Sequence, residues 1–540
     1  MGYLPVGGEK MSEPYDTLDR RWRTSCATIL RQEVGPLSDY EKWLREDILP
    51  QISKKSSVSG KTVTFSHGEY HADTKCAALE ETNLLPAPSA LDINQLKDIE
   101  SIKQALAERF YYTGDIVLGN SAHIKASSNI NDSFYVQDSV WVGDSKYVAY
   151  CTRARLSEDC FGTHMAGESA CTIKCHGEYR NKRCFELWQG QNCSDCYYSH
   201  RLEGCQECLF CFNLYNQHHR IGNLQMERAK YQEIKAHLLA QMVDELKKNK
   251  RLPSLVELIE KTPVKQLEQT NSPRFDQVNA QAVLKTIDNE FARTCQLLLG
   301  QKLSNGIEDY GDWLAQSIPP MRAGKSAMSG QPVDVIHFAN YDKLPKDRLL
   351  KLEEAKLYGE SHQMDEKELI GFDWYNAADR ISRIAFFCPE VREGTNMNIL
   401  RSPASFESSY VYKAMAGFVR VKYSAFVYWL RDCENVFGSS DLFDSRFCIH
   451  CESSVNLSRC FEVDSSRACS DCYFCHNVED CAECMFCFNA KSKRYAIGNV
   501  EYPKEEYLRV KKRVMAQMAD RLEKDKTLQW SIFDIGKRRD

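Results

Sequence analysis

The sequence predicts an α+β protein made by tandem duplication, each copy carrying a mixed α/β cap, a narrow β-solenoid of twelve-residue rungs and a C-terminal helix. Three observations predict it. The chain aligns with itself at an offset of about 270 residues. Within each copy, cysteines and other small residues recur every twelve. After each such stretch the apolar pattern changes to helical spacing.

The duplication is the strongest of the three. An offset of 276 carries Cys184-Phe-Glu-Leu onto Cys460-Phe-Glu-Val and Cys193-Ser-Asp-Cys196 onto Cys469-Ser-Asp-Cys472. Without a gap it then carries Cys205, Cys208, Cys211, Phe212 and Asn213 onto Cys481, Cys484, Cys487, Phe488 and Asn489, and Ile221-Gly-Asn onto Ile497-Gly-Asn. Nearer the start of each copy the offset is 270, pairing Trp43 with Trp313, Ser59-Gly60 with Ser329-Gly330 and His67 with His337. Pro253, Pro263 and Asn271-Ser-Pro273 interrupt helical patterning at the seam.

The shorter period defines the rung. Cys448, Cys460, Cys472 and Cys484 fall twelve apart, each followed by an apolar residue. The first copy reads Val136, Val148, Cys160, Thr172, Cys184, Cys196 and Cys208 in the same register. Three residues on comes a second small column (Ser139, Cys151, Thr163, Cys175), and nine residues on a third (Ser145, Ser157, Ser169, Asn181, Cys193, Cys205). Small residues at positions 1, 4 and 10 fit the inside of a coil too narrow for Leu or Phe. Bulky position-2 residues such as Phe161, Phe185 and Tyr197 then face outward, stacking at a strand spacing of about 4.8 Å. Rungs from near 124 to 215 and from near 408 to 491 predict two rods, each about 30 Å long.

This pattern resembles the rungs of insect β-helical antifreeze proteins, but the threonine pairs of their ice-binding face are missing, so ice binding is not expected. A closer resemblance is to uncharacterised cysteine-rich repeat proteins of candidate-phylum bacteria and phages. Their repeats close on a block like Cys487-Phe-Asn followed by Lys493-Arg-Tyr-Ala-Ile-Gly-Asn and Tyr502-Pro-Lys-Glu-Glu-Tyr507. The first copy departs from it with Met226-Glu-Arg-Ala-Lys-Tyr231, and the resemblance implies no activity.

The expected segments are a first α/β cap (1–118), a first cysteine-rich solenoid (119–223), a capping helix (224–250) and a linker (251–275). A second cap (276–396), a second solenoid (397–499) and a C-terminal helix (500–540) follow. Helices are expected over Trp22 to Leu30, Tyr40 to Ile48 and Ile93 to Phe110, and a strand around Val63 to Phe65. Such flanks block edge pairing at the ends of the rods.

Composition narrows the function. The chain has 540 residues and 24 cysteines, a formal net charge of -5, a pI near 6.3 and a mean hydropathy of -0.49. No apolar run is long enough for a membrane span, and the first residues lack a secretory pattern. A cytoplasmic protein is expected, or one assembled into a virus particle made there. The acidic balance disfavours a nucleic-acid footprint over the whole surface. Walker A, G-x-G-x-x-G, H-E-x-x-H and G-x-S-x-G motifs are all absent.

Two readings of the cysteines stay open. The C-x2-C spacing of Cys193, Cys196, Cys205, Cys208, Cys211 and of Cys469, Cys472, Cys475, Cys481, Cys484, Cys487 suits zinc. The twelve-residue register explains the same residues as inward packing, since a free cysteine behaves as a small hydrophobe. Disulfides and iron–sulfur ligation are further alternatives. A nucleophilic cysteine beside His200 or His476 lacks an accompanying base or oxyanion device. The sequence therefore points to a non-enzymatic structural or interaction scaffold with protein partners in an assembly, a phage particle being the concrete version. The alternative is a zinc-dependent nucleic-acid-binding protein.

Overall fold

The computed structural model describes residues 13–537, apart from 67, 69, 71, 90, 93–95, 265–266, 268–278, 336–339, 415–420, 429–432, 434–435, 440–447 and 451–458. His67, His337, Cys451 and the start of the helix expected from Ile93 lie outside the described residues. Helices and strands make up 31% each, an α+β composition.

A seventeen-stranded sheet runs from Val117–Leu118 to Leu224–Gln225 and is parallel apart from the antiparallel pairing of its last two strands. Its pairing steps by twelve residues: Val136 lies beside Val148, Val148 beside Cys160, Cys160 beside Thr172 and Cys196 beside Cys208. A second series steps the same way through Ile130, Val142, Ala154 and Ala166. The second half repeats the twelve-residue step at Val463–Cys475, Cys472–Cys484 and His476–Phe488. Two of its steps are thirteen, Val391–Ala404 and Val411–Ser424, so single-residue insertions interrupt the interval before residue 425.

Backbone conformation explains the interval. From Asn129 to Gly222 every third residue is left-handed without a break, with φ between 43° and 71°. Two extended residues followed by one left-handed residue make a corner, and four corners bring the chain back beside itself after twelve residues. Side chains therefore turn inward every third residue. This adds a fourth inward column, at position 7, to the three read from the sequence: Ile130, Val142, Ala154, Ala166, Glu178, Gly190, Leu202 and Leu214.

Left-handed corners are unfavourable for most side chains, and hydrogen bonds inside the coil offset them. Ser133, Ser139, Ser145 and Ser157 each donate through Oγ to the carbonyl two residues back, at 2.7–2.8 Å. The same oxygens accept the N–H of the residue twelve further on, as in Ser145 N to Ser133 Oγ (3.1 Å) and Cys151 N to Ser139 Oγ (3.0 Å). Positions 4 and 10 are thus mostly small, and in most rungs they can also donate and accept. Leu187 at position 4, with Leu202 and Leu214 at position 7, shows that the interior is wide enough for leucine, contrary to the expectation from the sequence. Each buried N–H left unmet would cost about 1–3 kcal/mol.

The outward position-2 ladder is covered by the chain itself. Phe161 packs edge-on against Trp22 of the helix Glu13–Leu30 at 5.4 Å, and Tyr197 Oη donates to Ile29 O at 2.8 Å. Lys235 of the helix Arg228–Asn249 lies over the Tyr197 ring at 4.6 Å. In the second half, Lys511 of the helix Lys504–Asp525 covers Tyr473 at 4.9 Å.

The chain forms two compact units, and each draws on both halves of the sequence. The first unit comprises Met1–Gln51, Ile116–Glu268 and Lys343–Cys388, and the second Ile52–Asp115, Gln269–Asp342 and Pro389–Asp540. The first twelve-residue sheet is thus completed by a segment of the second half, and the second by a segment of the first.

Two outcomes follow. Asn192, an exposed corner with φ 51°, should accept glycine with little change, whereas Asn192→Val should destabilise by about 1–2 kcal/mol in denaturant unfolding, since β-branched residues resist this region. Equal stability of the two variants would refute the corner account. Residues 1–268 and 269–540 produced as separate chains should each unfold non-cooperatively and should form a one-to-one complex when co-expressed. A stable, monomeric 1–268 fragment would show that the segment Lys343–Cys388 is dispensable to its unit.

Candidate functional site

All the cysteines picked from the sequence line the interior. Cys196, Cys208, Cys472 and Cys484 occupy column 1, Cys193, Cys205, Cys469 and Cys481 column 10, and Cys211, Cys475 and Cys487 column 4, each at most 3% exposed. The C-x2-C spacing sets two thiols on adjacent inner walls of the same coil. Their hydrogen bonds run to backbone carbonyls: Cys193 Sγ to Gln191 O and Leu202 O, both 3.2 Å, and Cys469 Sγ to Arg467 O (3.1 Å) and Val478 O (3.3 Å). Burial pushes the Cys196 thiol well above its ordinary value, so it stays protonated and can donate. Among the described residues, no group of three or more Cys, His, Asp and Glu side chains is arranged to hold a metal ion.

Two histidines that resemble catalytic candidates in the sequence hold backbone instead. His200 Nε2 accepts the N–H of Cys388 at 3.0 Å, and Asn213 Nδ2 donates to Phe386 O at 2.9 Å. Between these two bonds Phe387 packs on the His200 ring (4.9 Å) and on Phe212 (5.6 Å). Burial holds the His200 imidazole down at about 3, which keeps it neutral and its Nε2 lone pair available.

The same clamp recurs in the second unit. His476 Nε2 accepts the N–H of Thr113 at 2.7 Å, Asn489 Nδ2 donates to Tyr111 O at 2.8 Å, and Tyr112 packs on His476 and Phe488, both at 5.3 Å. The clamping residues differ by 276 (476 against 200) and the clamped ones by 275 (388 against 113). Because Nε2 accepts, the proton sits on Nδ1, which donates to Asp464 Oδ2 at 2.6 Å. Tyr70 Oη donates to the same oxygen at 2.6 Å.

Other matched motifs close the sheets. Asn223 Oδ1 accepts from Phe212 N (2.8 Å) and its Nδ2 donates to Phe212 O (3.1 Å), so the side-chain amide stands where a further strand would pair. Asn499 does the same with Phe488, at 3.0 and 2.6 Å. The preceding glycines admit close neighbours: a Cβ on Gly222 would lie 2.0 Å from Met364 Sδ, and one on Gly498 2.1 Å from Leu106 Cδ2. The sequence contained the signal for these sites in the duplicated Cys-Phe-Asn and Ile-Gly-Asn blocks, but not what they grip.

Besides the thiols, one carboxyl group stands among the inward columns of the first sheet. Glu178 occupies column 7 between Ala166 and Gly190, and among the described residues neither carboxyl oxygen has a hydrogen-bond partner. Burial raises it to about 8.

Comparison with known protein families, with curated proteins and with solved structures finds no match for the chain. No helix of the described residues is long and apolar enough to cross a membrane.

A raised carboxyl favours the fold only while protonated. Between the unfolded value of 4.5 and about 8 the unfolded state loses a proton that the folded state keeps, so stability falls as pH rises through that window. Denaturant unfolding from pH 5 to pH 9 should record this loss, and Glu178→Gln should reduce it by about half, the buried Glu186 carboxyl, also raised to about 8, supplying the rest. An unchanged pH slope in the variant would show that Glu178 is ionised in the fold.

Proposed function

We propose that the protein is a non-enzymatic structural and interaction scaffold, a tandem duplication whose two halves each form a narrow cysteine-lined β-solenoid. It works as a component of a larger assembly, a phage particle being the concrete version. The resemblance to cysteine-rich repeat proteins of candidate-phylum bacteria and phages agrees with this reading.

The observation that carries it is the occupation of both clamp histidines. A general base needs a free lone pair beside its substrate, yet Nε2 of His200 and of His476 each accept a backbone N–H. The Asp464–His476 pair therefore supports positioning of the strand at Thr113 rather than proton transfer. The cysteines add to the argument, because thiols donating to carbonyls inside a coil are poor nucleophiles.

With the position-2 ladder covered, binding falls to the outer corners of the rungs. These are linked across rungs by Arg180 Nε to Glu168 Oε2 (2.8 Å), Arg183 Nη2 to Asp195 Oδ2 (2.6 Å) and the stacked rings of His123, Tyr135 and Tyr147 (4.4 and 5.4 Å). Rung-to-rung pairing makes this face stiff, so little ordering entropy opposes binding.

Lysine crosslinking of the tagged chain in its native cell should trap a stoichiometric assembly, with crosslinks from the exposed Lys146 and Lys182 on that face. A chain that stays monomeric under those conditions, or a catalytic turnover abolished by His476→Gln, would overturn the scaffold reading.

A further inference from the structure

The duplication supplies a comparison inside one chain. Lys235 of the helix Arg228–Asn249 and Lys511 of the helix Lys504–Asp525 match across the two halves. Each covers the ring of a ladder tyrosine, Tyr197 at 4.6 Å and Tyr473 at 4.9 Å. Their other partners differ. Lys511 Nζ is paired with Glu483 Oε2 at 2.6 Å. The matching carboxylate of the first unit, Glu207, is taken: Gln232 Nε2 donates to its Oε1, and His219 Nε2 lies 2.7 Å from its Oε2. The second unit has Leu508 and Tyr495 in those two places, and Glu483 is left to the lysine.

Lys235 is only 3% exposed, and its amine lies between two tyrosine rings, the second being Tyr231 at 5.9 Å. Among the described residues it has no hydrogen bond and no ion pair. The charged groups that face it, besides Glu207, are Asp195, bound to Arg183 at 2.6 Å, and Arg31, bound to Gln232 at 2.5 Å. The Cys196 thiol, which also faces it, stays protonated. Burial holds the Lys235 amine below its ordinary value. Tyr231 adds a fully buried hydroxyl with no hydrogen-bond partner among the described residues.

We propose that Lys235 is an acylation site, taking a short acyl group from a thioester. The amine nitrogen attacks the thioester carbon, a C–N bond forms, the C–S bond breaks, and the thiol leaves with the proton that the nitrogen loses. Nothing is oxidised or reduced. The product is a neutral amide, which removes a charge that burial disfavours and no carboxylate meets. The Tyr231 hydroxyl is a donor available to the acyl oxygen. With so little of the residue exposed, only a short group fits. Lys511 has to give up its bond to Glu483 before it can react. The site stands apart from the scaffold reading, since a chain that stays monomeric can still be acylated.

The test is incubation of the folded chain with the small thioester N,S-diacetylcysteamine across neutral and alkaline pH, with acetylation of each lysine read by peptide mass spectrometry. Lys235 should react in a lower pH range than Lys511 and, at neutral pH, roughly tenfold faster, because a charge-assisted bond keeps only the second amine protonated. Gln232→Leu combined with His219→Tyr copies the second unit, returns Glu207 to Lys235 and should remove the difference. Glu483→Gln should move Lys511 into the lower pH range. No acetylation of Lys235 in the folded chain would overturn the proposal, as would a pH range shared with Lys511. So would an unchanged Lys235 rate in a double variant with native far-ultraviolet dichroism, or a Lys511 profile that Glu483→Gln leaves in place.

Discussion

Everything in this fold depends on the left-handed corner that recurs every third residue. A strand that stays extended can pair only at its edges, whereas a chain that turns after every two extended residues comes back beside itself. The corner also sets what the sequence contains. It allows only every third side chain inside, keeps the interior narrow, and exposes peptide N–H groups that small polar side chains must meet. The serine ladder at positions 4 and 10 answers that requirement, with each Oγ donating two residues back and accepting from the next rung. Cysteine can take the same place: Cys151 Sγ accepts Thr163 N at 3.5 Å in the place of a hydroxyl.

The columns so built are unequal, and the inequality shows how much of the fold could be read in advance. Columns 1, 4 and 10 were legible because they are filled by Cys, Ser and Thr, which contrast with their neighbours. Column 7 was not, since Ile130 and Leu214 look like ordinary apolar residues and Glu178 looks like a surface one. Three visible columns at irregular spacing suggested a twelve-residue unit, while the fourth reduces the rule to every third residue. The thirteen-residue steps at Val391–Ala404 and Val411–Ser424 were hidden for a related reason, because Val, Ala and Ser there carry no cysteine to mark the register.

The partner of each flanking segment was the least legible feature. The sequence offers His200 and His476 only as candidate partners of a nucleophilic cysteine, because what they hold are backbone groups, and a backbone N–H has no sequence signature. Cys388 and Thr113, clamped by equivalent histidines, share no side-chain chemistry. The duplicated Phe-Asn pair was visible, yet its meaning needed the segments between 343 and 388 and between 52 and 115. Linear order assigns each of those to the half in which it lies, and packing assigns it to the unit built on the other half.

That exchange changes what the duplication does. Two independent copies in one chain would gain only effective concentration, whereas here each rod buries its clamp face against a segment that the other half supplies. His476, Asp464 and Tyr70 are joined by bonds of 2.6 Å, and His476 and Asp464 are fully buried. Without Thr113 N the lone pair of His476 Nε2 would be left unsatisfied in a dry interior, at a cost of about 1–3 kcal/mol. The first unit pays the same penalty at His200 without Cys388. Loss of one segment therefore weakens the rod built on the other half, and the two halves are held to a common fate by buried polar groups rather than by the linker alone.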